Sequence, residues 1–127
     1  MERRVVPADS PQVATVGYSR AVRVGPHVYV AGTAPIMPGE ADPPTDPYAQ
    51  ARRCLEIVLA ALAELGAGPE HVVRTRAYLT SADDWKEVGR AHGEVFADVR
   101  PASAMVVVSS LLDPRWRVEL EVDALVA

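Results

Sequence analysis

The chain predicts an α+β fold of order β-β-α-β-α-β-β, a mixed sheet with two helices on one face, and three observations carry that reading. The first is a two-residue alternation near the C-terminus. Val118, Leu120, Val122 and Ala124 point to one side of a strand, and Glu119, Glu121 and Asp123 to the other. The second is a pair of stretches with apolar residues at helical spacing, separated by strand-like runs. The third is Ala104–Val108, apolar on both sides, which predicts a strand covered on both faces. One helix layer covers only one face of a sheet. The other face must therefore meet another subunit, and a functional site is expected in that seam.

Residues 21–24 and 27–33 read as two short strands turned at Gly25-Pro26. A loop rich in proline and glycine runs from Pro35 to Pro47. Asp46 is a good N-cap, and Pro47 suits the first helical position because its missing N–H has no partner there in any case. Tyr48, Ala51, Leu55, Val58, Leu59, Leu62 and Leu65 then recur at helical spacing until Gly66 stops the helix. Residues 72–80 form a strand with Val73, Thr75, Ala77 and Leu79 on one face and Arg74, Arg76 and Tyr78 on the other. Ser81 with Asp84 resembles a capping box, aspartate standing where glutamate is usual, and Asp83-Asp84 supply charge favourable at a helix start. Trp85, Val88, His92, Val95 and Phe96 make a second amphipathic helix, interrupted by Gly89 at about 1 kcal/mol against alanine. Strands 102–108 and 117–125 complete the chain, a single domain over residues 1–127 with no repeat and no linker.

Composition narrows the function classes. A length of 127 residues suits one domain, able to bury roughly two-thirds of its unfolded surface. No apolar run approaches the ~20 residues of a membrane helix. The N-terminal segment Met1–Pro7 has no apolar signal core, and one cysteine cannot form an internal disulfide, so a cytoplasmic protein is expected. A net charge of −4, with acids close to most arginine pairs, argues against a phosphate-binding surface and hence against nucleic acid. His27, His71 and His92 lack metal-ligand spacing; no metal site, phosphate loop, dinucleotide fingerprint or Ser-His-Asp arrangement is present, and no cofactor is implied. Cys54 reads as a small packed hydrophobe and His92 as a satisfied core histidine. The acids at 119, 121 and 123 and the basic face at Arg74 and Arg76 are either a solvated charged surface or arginine–carboxylate pairs tying subunits together.

A family resemblance runs through the same residues. Pro101-Ala102-Ser103-Ala104 before an apolar strand, then Val118-Glu119-Leu120-Glu121-Val122, resemble the C-terminal signature of the Rid family, the reactive intermediate deaminases also called YjgF-like and labelled L-PSP endoribonucleases. Gly17-Tyr18-Ser19-Arg20-Ala21-Val22, Val28-Tyr29-Val30-Ala31-Gly32 with Pro35, Gln50-Ala51-Arg52, and Val72-Val73-Arg74-Thr75 match in order and spacing, so the likeness spans residues 17 to 125. The resemblance implies a chorismate-mutase-like fold and a homotrimer with small organic ligands in inter-subunit clefts. It also implies that Glu119 is the carboxylate that activates water against an imine carbon, general acid–base help of roughly 10²–10⁴-fold.

By the same resemblance Tyr18 stands at the cleft entrance, and Gly32 lets backbone approach a ligand. A buried aromatic and a strand-end glycine are the other readings of those two residues. Gly89 and Ala31 replace polar family residues, and Ser103 replaces the arginine that clamps a substrate carboxylate. Serine offers one neutral hydrogen bond where the guanidinium offers a charged, paired set. Arg76 either reaches the same space or pairs with Glu119 or Glu121. The expected function is that of a small-molecule-binding Rid-like protein, an imine or enamine deaminase yielding a carbonyl compound and ammonia, with substrate range altered at Ser103. The alternatives are a non-catalytic ligand-binding or regulatory trimer, or a pathway-specific deaminase or tautomerase.

Overall fold

Two helices lie on one face of a six-stranded mixed sheet in a computed structural model that describes all residues, Met1–Ala127. The elements follow as β1 (Arg3–Pro7), α1 (Val13–Val16), β2 (Ser19–Val24), β3 (His27–Thr33), α2 (Pro47–Glu64), β4 (Val72–Leu79), α3 (Trp85–Phe96), β5 (Ala102–Val107) and β6 (Val118–Leu125). The strand order is β1-β2-β3-β6-β4-β5. Only β4 and β5 are parallel, joined by α3; every other neighbouring pair is antiparallel. No helix is long and apolar enough to cross a membrane.

The core follows from the periodicities. On β6, Val118, Leu120, Val122 and Ala124 are all buried beneath α2, while Glu119, Glu121 and Asp123 face away. The α2 helix buries Ala51, Cys54, Leu55, Val58, Ala61 and Leu62; each fully buried valine or leucine is worth about 1.5–3 kcal/mol. Asp46 caps it, its carboxylate accepting from the amides of Tyr48 (3.4 Å) and Ala49 (3.1 Å). Gly66 ends it in the left-handed region at φ +76°, where other residues are strained. Gln50, within the same helix, is fully buried and ties the loops to it. Its Nε2 donates to the carbonyls of Pro44 (2.7 Å) and Arg115 (2.9 Å), and its Oε1 accepts from the amide of Arg117 (2.7 Å).

Several expectations need correction. The N-terminal strand β1 and the short helix α1 lack a legible pattern, because β1 buries only Val6 and owes its existence to pairing with β2. Val73 does not join Thr75, Ala77 and Leu79 on the inner face: the register slips between Val72 and Arg74, and Val73 is exposed. Ser81 caps a 3₁₀ turn at Ala82–Asp84, and no capping box forms. Asp84 is buried and holds Arg117 instead of serving as loose helix-start charge. Trp85 is exposed rather than in the apolar stripe. Finally, β5 is an edge strand beside β4 alone, and in a single chain neither of its faces is fully covered: Val106 and Val107 are exposed and Met105 half-buried.

Candidate functional site

The outer face of the sheet, opposite the helices, carries a charged cluster ordered by strand register. Arg76 stands opposite Glu121, and Tyr78 opposite Glu119, across β4 and β6. The Arg76 guanidinium lies 3.4 Å from Glu121 Oε1 and 3.5 Å from Asp123 Oδ2. The Tyr78 hydroxyl donates to the same Glu121 oxygen at 2.6 Å, which holds the phenol above its ordinary pKa. Arg76 thus pairs with Glu121 and Asp123 and not with Glu119.

Glu119 is the acid this network leaves free. Half-buried, it sits over Gly32, where β3 departs from regular pairing with β6 between Val30 and Thr33. A Cβ on Gly32 would stand 3.1 Å from Glu119 Oε1 and 3.2 Å from its Cδ, so glycine makes room for the carboxylate. Burial pushes the Glu119 pKa above the ordinary glutamate value; the Arg20 charge opposes the shift and the Glu121 charge adds to it. Arg20 is itself fixed, donating from Nη1 to the Gly32 carbonyl (2.8 Å) and to Thr33 Oγ1 (2.9 Å). The Tyr18 ring lies 5.8 Å from the Arg20 guanidinium, and its hydroxyl meets Ser10 Oγ at 2.6 Å. Tyr18, Arg20, Gly32 and Glu119 therefore make one neighbourhood.

Ser103 and Gly89 make another. Ser103 pairs in register with Thr75, whose side chain is buried on the helix side. Its hydroxyl accepts from Thr75 Oγ1 at 2.8 Å, and Thr75 Oγ1 also meets His92 Nε2 at 2.8 Å. A Cβ on Gly89 would lie 3.8 Å from Met105 Cε, so that glycine also faces β5 from the helix side. Within one chain, then, Ser103 and Gly89 lie on the opposite side of the sheet from Glu119 and Arg76. Cys54 belongs to neither group: it is fully buried, and burial raises its thiol far above the ordinary range. No group of three or more histidine, cysteine, aspartate or glutamate side chains is close enough together to hold a metal ion.

The family model described as Endoribonuclease L-PSP matches residues 8–126. The chain belongs to that family, the YjgF/Rid family. A crystal structure of a member of the highly conserved YjgF/YER057c/UK114 family from Mycobacterium tuberculosis is 44% identical, with a TM-score of 0.88 over 98% of this chain and 100% of that one. The Rid protein YyfA of Yersinia pestis is 26% identical, with a TM-score of 0.86 over 98% and 100% of the two chains. An uncharacterized protein of Streptomyces coelicolor is 40% identical over 121 residues, 95% of this chain and 90% of that protein.

Sequence pattern alone does not single out Arg20, Thr75 or His92, which the structure brings beside the candidate residues Gly32 and Ser103. Arg20 lay inside a matched segment, but its partners are a carbonyl and a hydroxyl on another strand, which no local pattern reveals. By pattern Thr75 and His92 read as ordinary core positions, and the one weak signal is that each is polar on an otherwise apolar face.

Proposed function

We propose that this Rid-family chain hydrolyses an imine or enamine to a carbonyl compound and ammonia, in clefts between the subunits of a homotrimer. Family membership supports a small-molecule-binding Rid-like protein. The observation that carries the catalytic reading is Glu119. Of three acids on one strand face, Glu121 and Asp123 are held by Arg76 and Tyr78, while Glu119 keeps its lone pairs free and its pKa raised. A half-buried carboxylate with a raised pKa can take a proton from water and return it, as a general base and acid must. Water adds to the C=N carbon as Glu119 accepts its proton, and the bond's electron pair moves to nitrogen. Glu119 then returns the proton to nitrogen to complete the carbinolamine. The carbinolamine hydroxyl gives up its own proton, relayed by Glu119 to nitrogen, as the C–N bond breaks and releases a carbonyl compound and ammonia. An enamine enters the same path as its imine tautomer.

The trimer reading rests on incompleteness. One chain places Glu119, Gly32 and Tyr18 apart from Ser103 and Gly89. A cleft using both groups needs Glu119 from one subunit and Ser103 from a neighbour. The exposed edge strand β5 and the outer row of Val5, Val22, Tyr29 and Asp123 are surfaces such a neighbour would cover. Light scattering is expected to give about three times the 13.6 kDa subunit mass; a stable monomer would remove the cleft. Ser103 in place of a guanidinium gives an anionic substrate no fixed cation at that point, so poor hydrolysis of carboxylated imines is expected.

The test is ammonia release from imines generated in situ by an amino-acid oxidase and from uncharged ketimines. Glu119→Gln is expected to lower turnover by about 10²-fold or more while leaving the oligomer mass unchanged. Full activity of that variant overturns the catalytic assignment. Absence of turnover in the wild-type protein, with ligand still bound, would make the chain a non-catalytic ligand-binding trimer.

A further inference from the structure

Ser103 is exposed at the start of β5, yet it is the end of a hydrogen-bond chain that runs inward. Thr75 Oγ1 donates to Ser103 Oγ at 2.8 Å, and the next link is His92 Nε2 at 2.8 Å from Thr75 Oγ1. A threonine hydroxyl has a single hydrogen. With that hydrogen directed at Ser103, Thr75 must accept from His92, so the imidazole carries its proton on Nε2. The Phe96 ring packs against the imidazole, centroid to centroid 4.7 Å. Thr75 is almost completely buried, so its hydroxyl has no water with which to exchange roles. Every bond in the chain then points outward, and the hydrogen of Ser103 is left free to donate to whatever lies beside β5.

We propose that Ser103, Thr75 and His92 form a polarised hydrogen-bond chain that makes Ser103 a donor to an uncharged acceptor on the ligand, such as an amide or ester carbonyl, in place of a carboxylate. The proposal deepens the ligand-cleft reading above and rests on it for the position of the ligand. Its chemistry follows from the three members, each of which is neutral. Hydrogen bonds running in one direction polarise one another and strengthen the terminal donor. That donor can satisfy a carbonyl oxygen, but no member carries a charge to balance an anion withdrawn from water. Burial depresses the basicity of His92, which keeps the imidazole neutral near pH 7. Thr75 and His92 are positioning residues; only Ser103 meets the ligand.

The 127-residue chain is tested with pyruvamide and pyruvate, which have the same shape and differ in charge. Binding is followed by chemical-shift changes at the Ser103 and Thr75 amides, and ¹⁵N-labelled histidine reports the His92 tautomer. The expected result is the Nε2–H tautomer and tighter binding of pyruvamide. Ser103→Ala weakens pyruvamide binding about two- to tenfold, the range of one neutral hydrogen bond, and changes pyruvate binding little. Thr75→Val, which keeps the side-chain shape, gives the same loss of selectivity, and Thr75→Ser restores it; a merely structural role would shift both ligands together. The Nδ1–H tautomer, equal or tighter binding of pyruvate, or binding of neither compound overturns the proposal. The ammonia assay with Glu119→Gln is scored separately, so a deaminase lacking this selectivity and a selective binder lacking deaminase activity give different results.

Discussion

Removing the Arg117 guanidinium should damage this protein more than removing its partner, Asp84, and the asymmetry can be worked from burial. Arg117 donates to Asp84 from Nε at 3.0 Å and from Nη2 at 2.7 Å, a bidentate pair linking the turn before α3 to the start of β6. The Asp84 side chain is 5% exposed and the Arg117 side chain 42%. Arg117→Met fills similar space but leaves a buried carboxylate without a partner, at a cost of about 3–5 kcal/mol. Asp84→Ala leaves a guanidinium that still reaches water and the Thr45 carbonyl at 3.1 Å. Its cost is about 1–2 kcal/mol, the lost charge-assisted bonds discounted for exposure. At about 4 °C per kcal/mol for a domain of this size, Arg117→Met lowers Tm by about 12–20 °C and Asp84→Ala by about 4–8 °C. The double variant should resemble Asp84→Ala, because no charge is then stranded. Thermal melts at one fixed protein concentration measure all four proteins. An Asp84→Ala loss equal to or larger than that of Arg117→Met, or strictly additive losses, would refute the argument.

Two further outcomes concern the free carboxylate. Gly32→Ala is expected to lower ammonia release about tenfold with little change in Tm: its Cβ would crowd Glu119 at 3.1–3.2 Å, and small misplacements of a reacting group are costly. Unchanged turnover would show that Gly32 does not set the carboxylate's position. Burial raises the Glu119 pKa, so the folded protein holds that proton more tightly than the unfolded chain. Stability on this account is greatest below the ordinary glutamate value and declines as pH rises through the raised one. Glu119→Gln removes the decline and should melt slightly higher than wild type at pH 7, with no advantage near pH 4. A lower Tm at pH 7 would instead make Glu119 a structural partner.

Local patterns decided much of the architecture. A period of two on β6 sorts Val118, Leu120, Val122 and Ala124 from the three acids, because successive side chains on a strand point to opposite faces. The α2 boundaries follow from Asp46-Pro47 at one end and Gly66 at the other, because cap geometry is a property of a few adjacent residues. The ordered matches between residues 17 and 125 carried the family. Local pattern could not reveal β1, whose Arg3-Arg4-Val5-Val6 run becomes a strand only because β2 offers it a ladder. Nor could it show which acid on β6 remains free.

That choice depends on where long side chains end after strands 45 residues apart in sequence are brought together. Arg76 and Tyr78 happen to reach Glu121 and leave Glu119 over Gly32. The same holds for Ser103. As a substitution in a motif it marked a lost charge, but its hydrogen-bond chain to Thr75 and His92 is fixed by the parallel register of β4 with β5 and the packing of α3. Face and periodicity are set along the chain by covalent geometry. Partner choice is set across the chain by register and burial, where one residue of slip would exchange every pair.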